Sequence, residues 1–445
     1  MRILLVQTKT LLDEPPIFPL GLAYLASALR GVGHHVYGYD CNLGTGDGQA
    51  LSRALRTVQP EVIGISIRNI KNARPGMHLS TLQEHRAVLR CIREQAPGTP
   101  LVVGGSGFSL YAPQLMRAIP EIDLGVFGEG ERSFPALLAN LDAPDSVEGV
   151  LYRTNGDIRF NGRSSPAPFE RASRPAWDLF DVRAYAREPM GVAVQAKRGC
   201  ALDCIHCSNH FLFQRTLRTR EPGDVVDELE HLSHYYGLAA FMFADEIFNI
   251  PPAHADAVCE EMIRRGLTLR WTGWFKEREL TEDSVRLWKR AGCQGLFFSP
   301  DVASDELFDL WGKGLREQDL YHAVEILRRT GMRGEWNFMV NGPGETRASL
   351  IKLGKFLFKS KLRLGSRFRL NGCFVLVVRI YPHTRLQAYA IEHGVISPDD
   401  DLMEPVYYNP PPLARTIAPV LSLLGATWRT KQFLRVLKNP AAYRD

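Results

Sequence analysis

The sequence predicts an α/β protein of two successive domains: a doubly wound, Rossmann-like parallel sheet over residues 1–142, then a partial (β/α)6 barrel over 186–390, followed by a helical region at 391–445. Three observations carry this expectation. Short apolar runs alternate with helix-period segments in two separate series. A Ser- and Pro-rich stretch, Ser164 to Pro175, falls between the series and reads as part of a linker over 143–185. A chain of 445 residues also exceeds what one ordinary core holds.

The first series places strands at Ile3 to Val6, His35 to Tyr39, Val62 to Ile65, Leu101 to Val103 and Leu124 to Phe127. Helical patterns separate them, at Leu20 to Leu29, near Leu51, around Leu89, near Met116 and from Phe134 to Leu141. Parallel neighbours need such crossovers, and ligands of these sheets lie beyond the strand carboxyl ends. Here those ends carry Pro15-Pro16-Ile17-Phe18-Pro19-Leu20-Gly21, Ser66-Ile67-Arg68-Asn69, Gly104-Gly105-Ser106-Gly107 and Gly128-Glu129-Gly130-Glu131. Their glycines allow close approach of a bulky ligand, but the G-x-G-x-x-G order of a dinucleotide site is missing. On physical grounds alone a nucleotide and a larger cofactor remain open.

Within the linker, Gly149 to Tyr152 and Ile158 to Phe160 around Asn155-Gly156 read as a hairpin. The second series has strands at Val192 to Gln195, Ala239 to Phe243, Arg270 to Thr272, Gly295 to Phe298, Glu335 to Val340 and Cys373 to Val378. Six strands with intervening helices suit a partial barrel, although periodicity does not separate that from a second doubly wound sheet. Beyond Pro410-Pro411-Pro412 the pattern is helical.

With 45% hydrophobic and 23% charged residues, the composition excludes disordered and fibrous classes. The net charge of +5 is small, and part of it sits at Arg429, Lys431, Arg435 and Lys438, which read first as a solvated helix face. Nucleic acid is therefore not an expected partner. The apolar run Ile3 to Val6 is too short for a signal peptide or a membrane span, so the expected compartment is the cytoplasm.

Of eight cysteines, Cys200, Cys204 and Cys207 crowd directly after the strand Val192 to Gln195, while Cys41, Cys91, Cys259, Cys293 and Cys373 lie singly. In a reducing compartment such a cluster means metal or redox chemistry. Three thiolates spaced C-x3-C-x2-C can hold one face of a 4Fe-4S cubane and leave its fourth iron open. A structural zinc site wants four ligands, usually in two C-x2-C pairs, and the nearby His206 and His210 do not supply that pattern.

Cys200-x3-Cys204-x2-Cys207 after a first barrel strand resembles the radical S-adenosylmethionine (SAM) superfamily. The resemblance implies that SAM chelates the open iron through its amino and carboxylate groups and is cleaved to a 5′-deoxyadenosyl radical. It makes His206, at a position usually aromatic, a neighbour of adenine. Asp245 and Glu246, in Phe243-Ala244-Asp245-Glu246, would meet the SAM amino end, with a helix cap as their other reading. Lys276, after Trp271-Thr272-Gly273-Trp274, would pair with the SAM carboxylate unless it is a surface lysine. Asp301, in Ser299-Pro300-Asp301 where relatives carry Gly-x-Glu, would accept from the ribose. Asn341-Gly342-Pro343-Gly344-Glu345-Thr346 and Tyr381-Pro382-His383-Thr384-Arg385-Leu386 resemble the family patterns Gly-x-Pro-Gly-Glu-Thr and Tyr-Pro-Gly-Thr-x-Leu.

Leu20-Gly21-Leu22-Ala23-Tyr24-Leu25-Ala26, Val103-Gly104-Gly105 and Gly128-Glu129-Gly130-Glu131 resemble the cobalamin-binding domain that precedes the barrel in one subgroup of that superfamily. Cobalamin would then lie against Ser66, Arg68, Asn69, Gly104, Gly105, Ser106, Gly128 and Glu129, with Arg68 and Asn69 near the lower face of the corrin. No Asp-x-His-x-x-Gly motif follows the first strand, so no histidine ligand to cobalt is expected. The resemblance implies methyl transfer to an unactivated carbon or phosphorus centre of a small molecule or peptide, with flavodoxin or ferredoxin as electron donor. Ring closure, contraction or oxidation without net methylation, and a non-catalytic cobalamin or iron-sulfur sensor, are the alternatives.

Overall fold

Four apolar residues in a row, Ile3, Leu4, Leu5 and Val6, are buried in strand β1 (Arg2–Gln7), which shows that both faces of the first sheet are covered. The computed structural model describes residues 1–10, 16–43, 48–70, 81–169, 174–188, 190–370 and 378–408. Parallel to β1 run β2 (His35–Asp40), β3 (Val62–Ser66), β4 (Leu101–Gly104) and β5 (Leu124–Val126). The spatial order begins β2-β1-β3-β4-β5. The chain therefore leaves β1 in opposite directions for β2 and β3, and the crevice between β1 and β3 is where such a sheet accepts a ligand.

The hairpin expected in the linker extends this sheet. Strands β6 (Val150–Thr154) and β7 (Asp157–Phe160) add antiparallel to β5. Val150 and Leu151 are buried, so the hairpin gains an apolar face by joining an edge that would otherwise stand open. Where one short helix was expected near Met116, two occur, Ser106–Leu110 and Ala112–Ala118.

The second sheet is parallel throughout, in the order β15-β14-β13-β12-β11-β8, with β8 Ala193–Val194, β11 Ala240–Phe243, β12 Arg270–Phe275, β13 Cys293–Asp301, β14 Gly334–Phe338 and β15 Phe368–Leu370. Helices follow the strands and are started by side-chain caps at Thr281, Ser304 and Thr346. Phe243, Phe248, Trp271, Phe275 and Trp288 pack ring on ring beneath the sheet. Two short strands, β9 (Lys197–Arg198) and β10 (Arg218–Thr219), pair on either side of the cysteine segment.

One expectation is corrected, and another falls largely outside the described residues. Phe368–Leu370 adds to β14 as the edge strand of this sheet, with Phe368 buried on Trp336, and of the expected strand Cys373 to Val378 only Val378 is described. Val378 instead opens β16 (Val378–Ile380), which pairs antiparallel with β17 (Val406–Tyr408). The region after residue 391 is thus not helical throughout. Cys373, Pro410 to Pro412 and the basic positions Arg429, Lys431, Arg435 and Lys438 lie outside the described residues.

Candidate functional site

One cavity of about 900 Å3 opens between the carboxyl ends of both sheets. On the front side it is lined by Gln7, Thr10, Ser66, Arg68, Gly104, Gly105, Ser106, Gly128 and Glu129. Across from them stand Cys200, Cys204, Cys207, His206, Asp245, Glu246, Lys276, Glu277, Asp301 and Lys313. Leu212, Phe213, Met242 and Trp274 contribute apolar surface to the same space.

The front loops require glycine where they meet. Gly105 has φ +103°, and a Cβ there would lie 2.6 Å from the Ile67 carbonyl oxygen. A Cβ on Gly107 would lie 2.7 Å from the Arg68 carbonyl oxygen. This contact lets the Phe108 amide donate to the Ile67 oxygen at 3.1 Å and the Ser106 hydroxyl to the Arg68 oxygen at 3.1 Å. Arg68 is exposed and lines the cavity, whereas Asn69 does not line it. The Asn69 carbonyl instead accepts from Thr81 and His85 at 3.0 and 2.8 Å.

The cysteine segment is braced from behind. The Ile205 amide donates to the Trp311 carbonyl at 2.9 Å, and the Leu386 amide to the Ile205 carbonyl at 2.8 Å. Arg385 donates to the Asp203 carbonyl at 3.0 Å. Gly312, at φ +66°, sits so close that a Cβ would fall 2.2 Å from that same Asp203 oxygen. The Tyr381 to Leu386 motif therefore serves the cysteines directly. Its His383 keeps left-handed backbone, φ +63°, at the position where the family pattern has glycine. The His383 ring stacks on Phe211 at 3.9 Å and 8°, a contact that offsets part of the strain.

Among the described residues no three His, Cys, Asp or Glu side chains converge as ligands to one metal ion must. Thiolates on one face of a cubane bind different irons and have no need to converge. Burial pushes the Cys207 thiol up to about 12 and raises Cys200 as well, so a cationic iron site is what would favour their thiolate forms.

The carboxylates divide into spent and unspent. Asp245 is spent through one oxygen only: its Oδ1 accepts the amides of Ala196 and Lys197 at 2.9 and 3.1 Å, which ties β8 and β9 to the end of β11, while its buried Oδ2 has no hydrogen-bond partner. Asp301, fully buried at φ +66°, has Oδ1 on the Ser299 hydroxyl and Oδ2 on the Lys313 ammonium, each at 2.6 Å. Lys313 holds the Asp301 carboxyl below its usual range against the opposing effect of burial. Glu129 faces the cavity, but its carboxylate is gripped by Arg218 and lies 3.2 Å from Arg198, which also pairs with Glu131 at 2.7 Å.

Residues that line the same space also hold unspent atoms. Glu246 Oε2, Glu277 Oε1 and His206 Nδ1 are buried and accept or donate no hydrogen bond within the protein. Burial pushes the carboxyls of Glu246 and Glu277 up to about 7. Lys276 is buried, not a surface lysine; its ammonium donates to the Lys313 carbonyl, and Asn249 clamps its backbone through bonds of 2.7 and 2.9 Å. His206 lies 5.7 Å from the Trp311 ring and 3.6 Å from Asp301. Glu277 and Lys313 were not expected from the sequence. Glu277 adjoins Lys276, and that adjacency was the one available signal.

The donor set fits the groups that the motifs imply. Three thiols offer soft ligands to iron, unpartnered buried carboxyls await an ammonium or hydroxyl donor, and Lys276 offers a cation to a carboxylate. The glycine-walled crevice opposite leaves room for a broad ring.

Residues 14–138 match the B12 binding domain model and residues 194–357 the radical SAM superfamily model. An uncharacterised methyltransferase of Pyrococcus horikoshii is 26% identical over 85% of this chain and 79% of its own length. The anaerobic magnesium-protoporphyrin IX monomethyl ester cyclase of Cereibacter sphaeroides is 26% identical over 75% of this chain, which spans 55% of that protein. Among solved structures, the radical SAM methyltransferase TsrM from Kitasatospora setae, with tryptophan and a SAM analogue bound, superposes with a TM-score of 0.75 at 23% identity, covering 88% of this chain and 76% of that one. Among the described residues no helix is long and apolar enough to cross a membrane.

Proposed function

Because this chain is a radical SAM enzyme with a B12-binding domain ahead of its barrel, we propose that it transfers a methyl group from SAM to an unactivated carbon or phosphorus centre of a small molecule or peptide. The observation that carries this reading is one shared cavity, which both the front loops and the three cysteines line. When bound, the cluster supplies the electron for SAM cleavage and the cobalamin carries the methyl group.

The chain's own residues bind, orient and exclude water. Cys200, Cys204 and Cys207 hold the cluster. Lys276 exchanges its carbonyl partner for the SAM carboxylate, while Glu246 and Glu277 accept from the SAM ammonium or hydroxyls. Asp245 positions the strands around them, and Asp301 with Lys313 forms a fixed wall beside His206. Ser66, Arg68, Gly104, Gly105, Ser106 and Gly128 form the floor for cobalamin. Trp274, Phe213 and Leu212 keep the space between the cofactors apolar. Electrons come from a small donor protein of the flavodoxin or ferredoxin kind.

The likeness to a cyclase supports a second reading, in which the same cofactors serve ring closure without net methylation. Anaerobic reconstitution with iron, sulfide, cobalamin, SAM and a reductant separates them. Methyl transfer yields S-adenosylhomocysteine and a product heavier by one methylene; 5′-deoxyadenosine with no mass gain favours cyclisation, and neither product would mean a sensor.

A further inference from the structure

The helix Arg347–Leu364 packs Leu353, Phe356 and Leu364 into the core. At about 100° per residue, Ile351, Phe358 and Leu362 fall on a stripe roughly 40° wide, diametrically opposite that inner face. They are 58, 68 and 69% exposed, which puts three large apolar side chains in line along the outer face of this helix. The helix carries six lysine or arginine residues and no aspartate or glutamate. By the same geometry Lys355 and Lys359 flank one side of the stripe and Lys361 the other. Among the described residues, no carboxylate lies within ion-pair distance of Lys355 or Lys361, while Lys352, lower on the helix, is paired with Glu306 and Glu317.

We propose that this ridge rests on an anionic lipid surface, its apolar crest inserted at the level of the acyl chains and its lysines against headgroup phosphates. The charge pattern selects this occupant. A second copy of the same face would bring uncompensated cations against cations. A partner protein would need a groove shaped to the ridge and a carboxylate placed for each lysine, whereas a bilayer yields to any convex apolar ridge and meets cations without register. Attachment of this kind is peripheral, and it stands independently of the cofactors.

The test uses the full chain with vesicles of phosphatidylcholine, with and without phosphatidylglycerol. Cosedimentation is expected only with the phosphatidylglycerol vesicles, and added salt should weaken it. Phe358→Ser with Leu362→Ser, and separately Lys355→Glu with Lys361→Glu, should each lower partitioning about tenfold or more without moving the melting temperature. No binding, or binding untouched by both double variants, overturns the proposal. So does a concentration-dependent dimer that the Phe358→Ser, Leu362→Ser variant abolishes, since the occupant is then a second copy. Lysine cross-links from Lys355 or Lys361 to Lys431 or Lys438 within the intact chain overturn it too, in favour of the chain's own C-terminal segment.

Discussion

Glu277 shows what a single buried carboxyl does to this protein. Its ordinary value of 4.5 rises to about 7 because burial penalises the charge, and Lys276 and Lys313 offset that only in part. Between those two values the folded chain keeps a proton that the unfolded chain has lost. Its contribution to stability is therefore complete below about pH 4.5 and fades as pH rises through 7. The metal-free protein should lose stability from pH 5 to pH 8 more steeply than its Glu277→Gln variant, by at most about 1.4 kcal/mol per pH unit, as denaturant titrations at several pH values would measure. With the cluster in place, the same variant should bind SAM about tenfold more weakly in equilibrium dialysis, since a charge-assisted bond is lost. At this scale the sequence spoke clearly only where chemistry is crowded. Cys200, Cys204 and Cys207 stand within eight positions, whereas Lys313 meets Asp301 from a different element and itself carries no motif. Asp301 looked like a free ribose acceptor because its Lys313 partner is invisible until the chain folds.

Segments, rather than residues, decide whether the cysteines present one face. Their loop is held against Gly312 on one side and Arg385 on the other. Gly312→Ala forces a methyl group to within 2.2 Å of the Asp203 carbonyl oxygen and strains a left-handed residue, so the loop must shift. Iron per chain after anaerobic reconstitution should fall to half or less, while helix content by circular dichroism is kept. In the front domain Gly105→Ala meets Ile67 in the same way, and cobalamin binding should weaken about tenfold or more with iron content unchanged. Element order was legible because parallel strands buried on both faces read as unbroken apolar runs, Ile3 to Val6 being the clearest. The edge strand Phe368–Leu370 escaped the pattern for a related reason: only Phe368 is buried, so the segment that pairs with β14 carries no apolar run. Edge strands need less apolar sequence than central ones, and hydrophobicity alone passes them over.

The two halves of the molecule are fastened at the rim of their common cavity. Arg198 and Arg218, flanking the cysteine segment, meet Glu129 and Glu131 at the start of the helix after β5, and Arg198 lies over the rings of Tyr24 and Phe169 at 5.0 and 4.4 Å. Changing both Glu129 and Glu131 to Gln leaves two largely buried guanidiniums without countercharges. The expected cost is about 3–5 kcal/mol, seen as a lower denaturation midpoint or as separate unfolding of the two halves. No sequence pattern announces such a clasp, because its members come from different domains: Glu129 reads as a cobalamin contact, and its arginine partners carry no motif that points to it.

Lys276 adds a consequence of another kind. In the free protein its ammonium is parked on a neutral carbonyl, that of Lys313, and so holds a weaker partner than an anion would be. An incoming amino-acid carboxylate gains an ion pair by displacing only that bond, while a ligand without one finds the lysine already engaged. Under the proposed function such an exchange would not distinguish SAM from what remains of it after reaction, because S-adenosylhomocysteine and methionine keep the same carboxylate. Turnover is then expected to slow as these accumulate, and a nucleosidase that removes S-adenosylhomocysteine should restore the rate without any change to the enzyme.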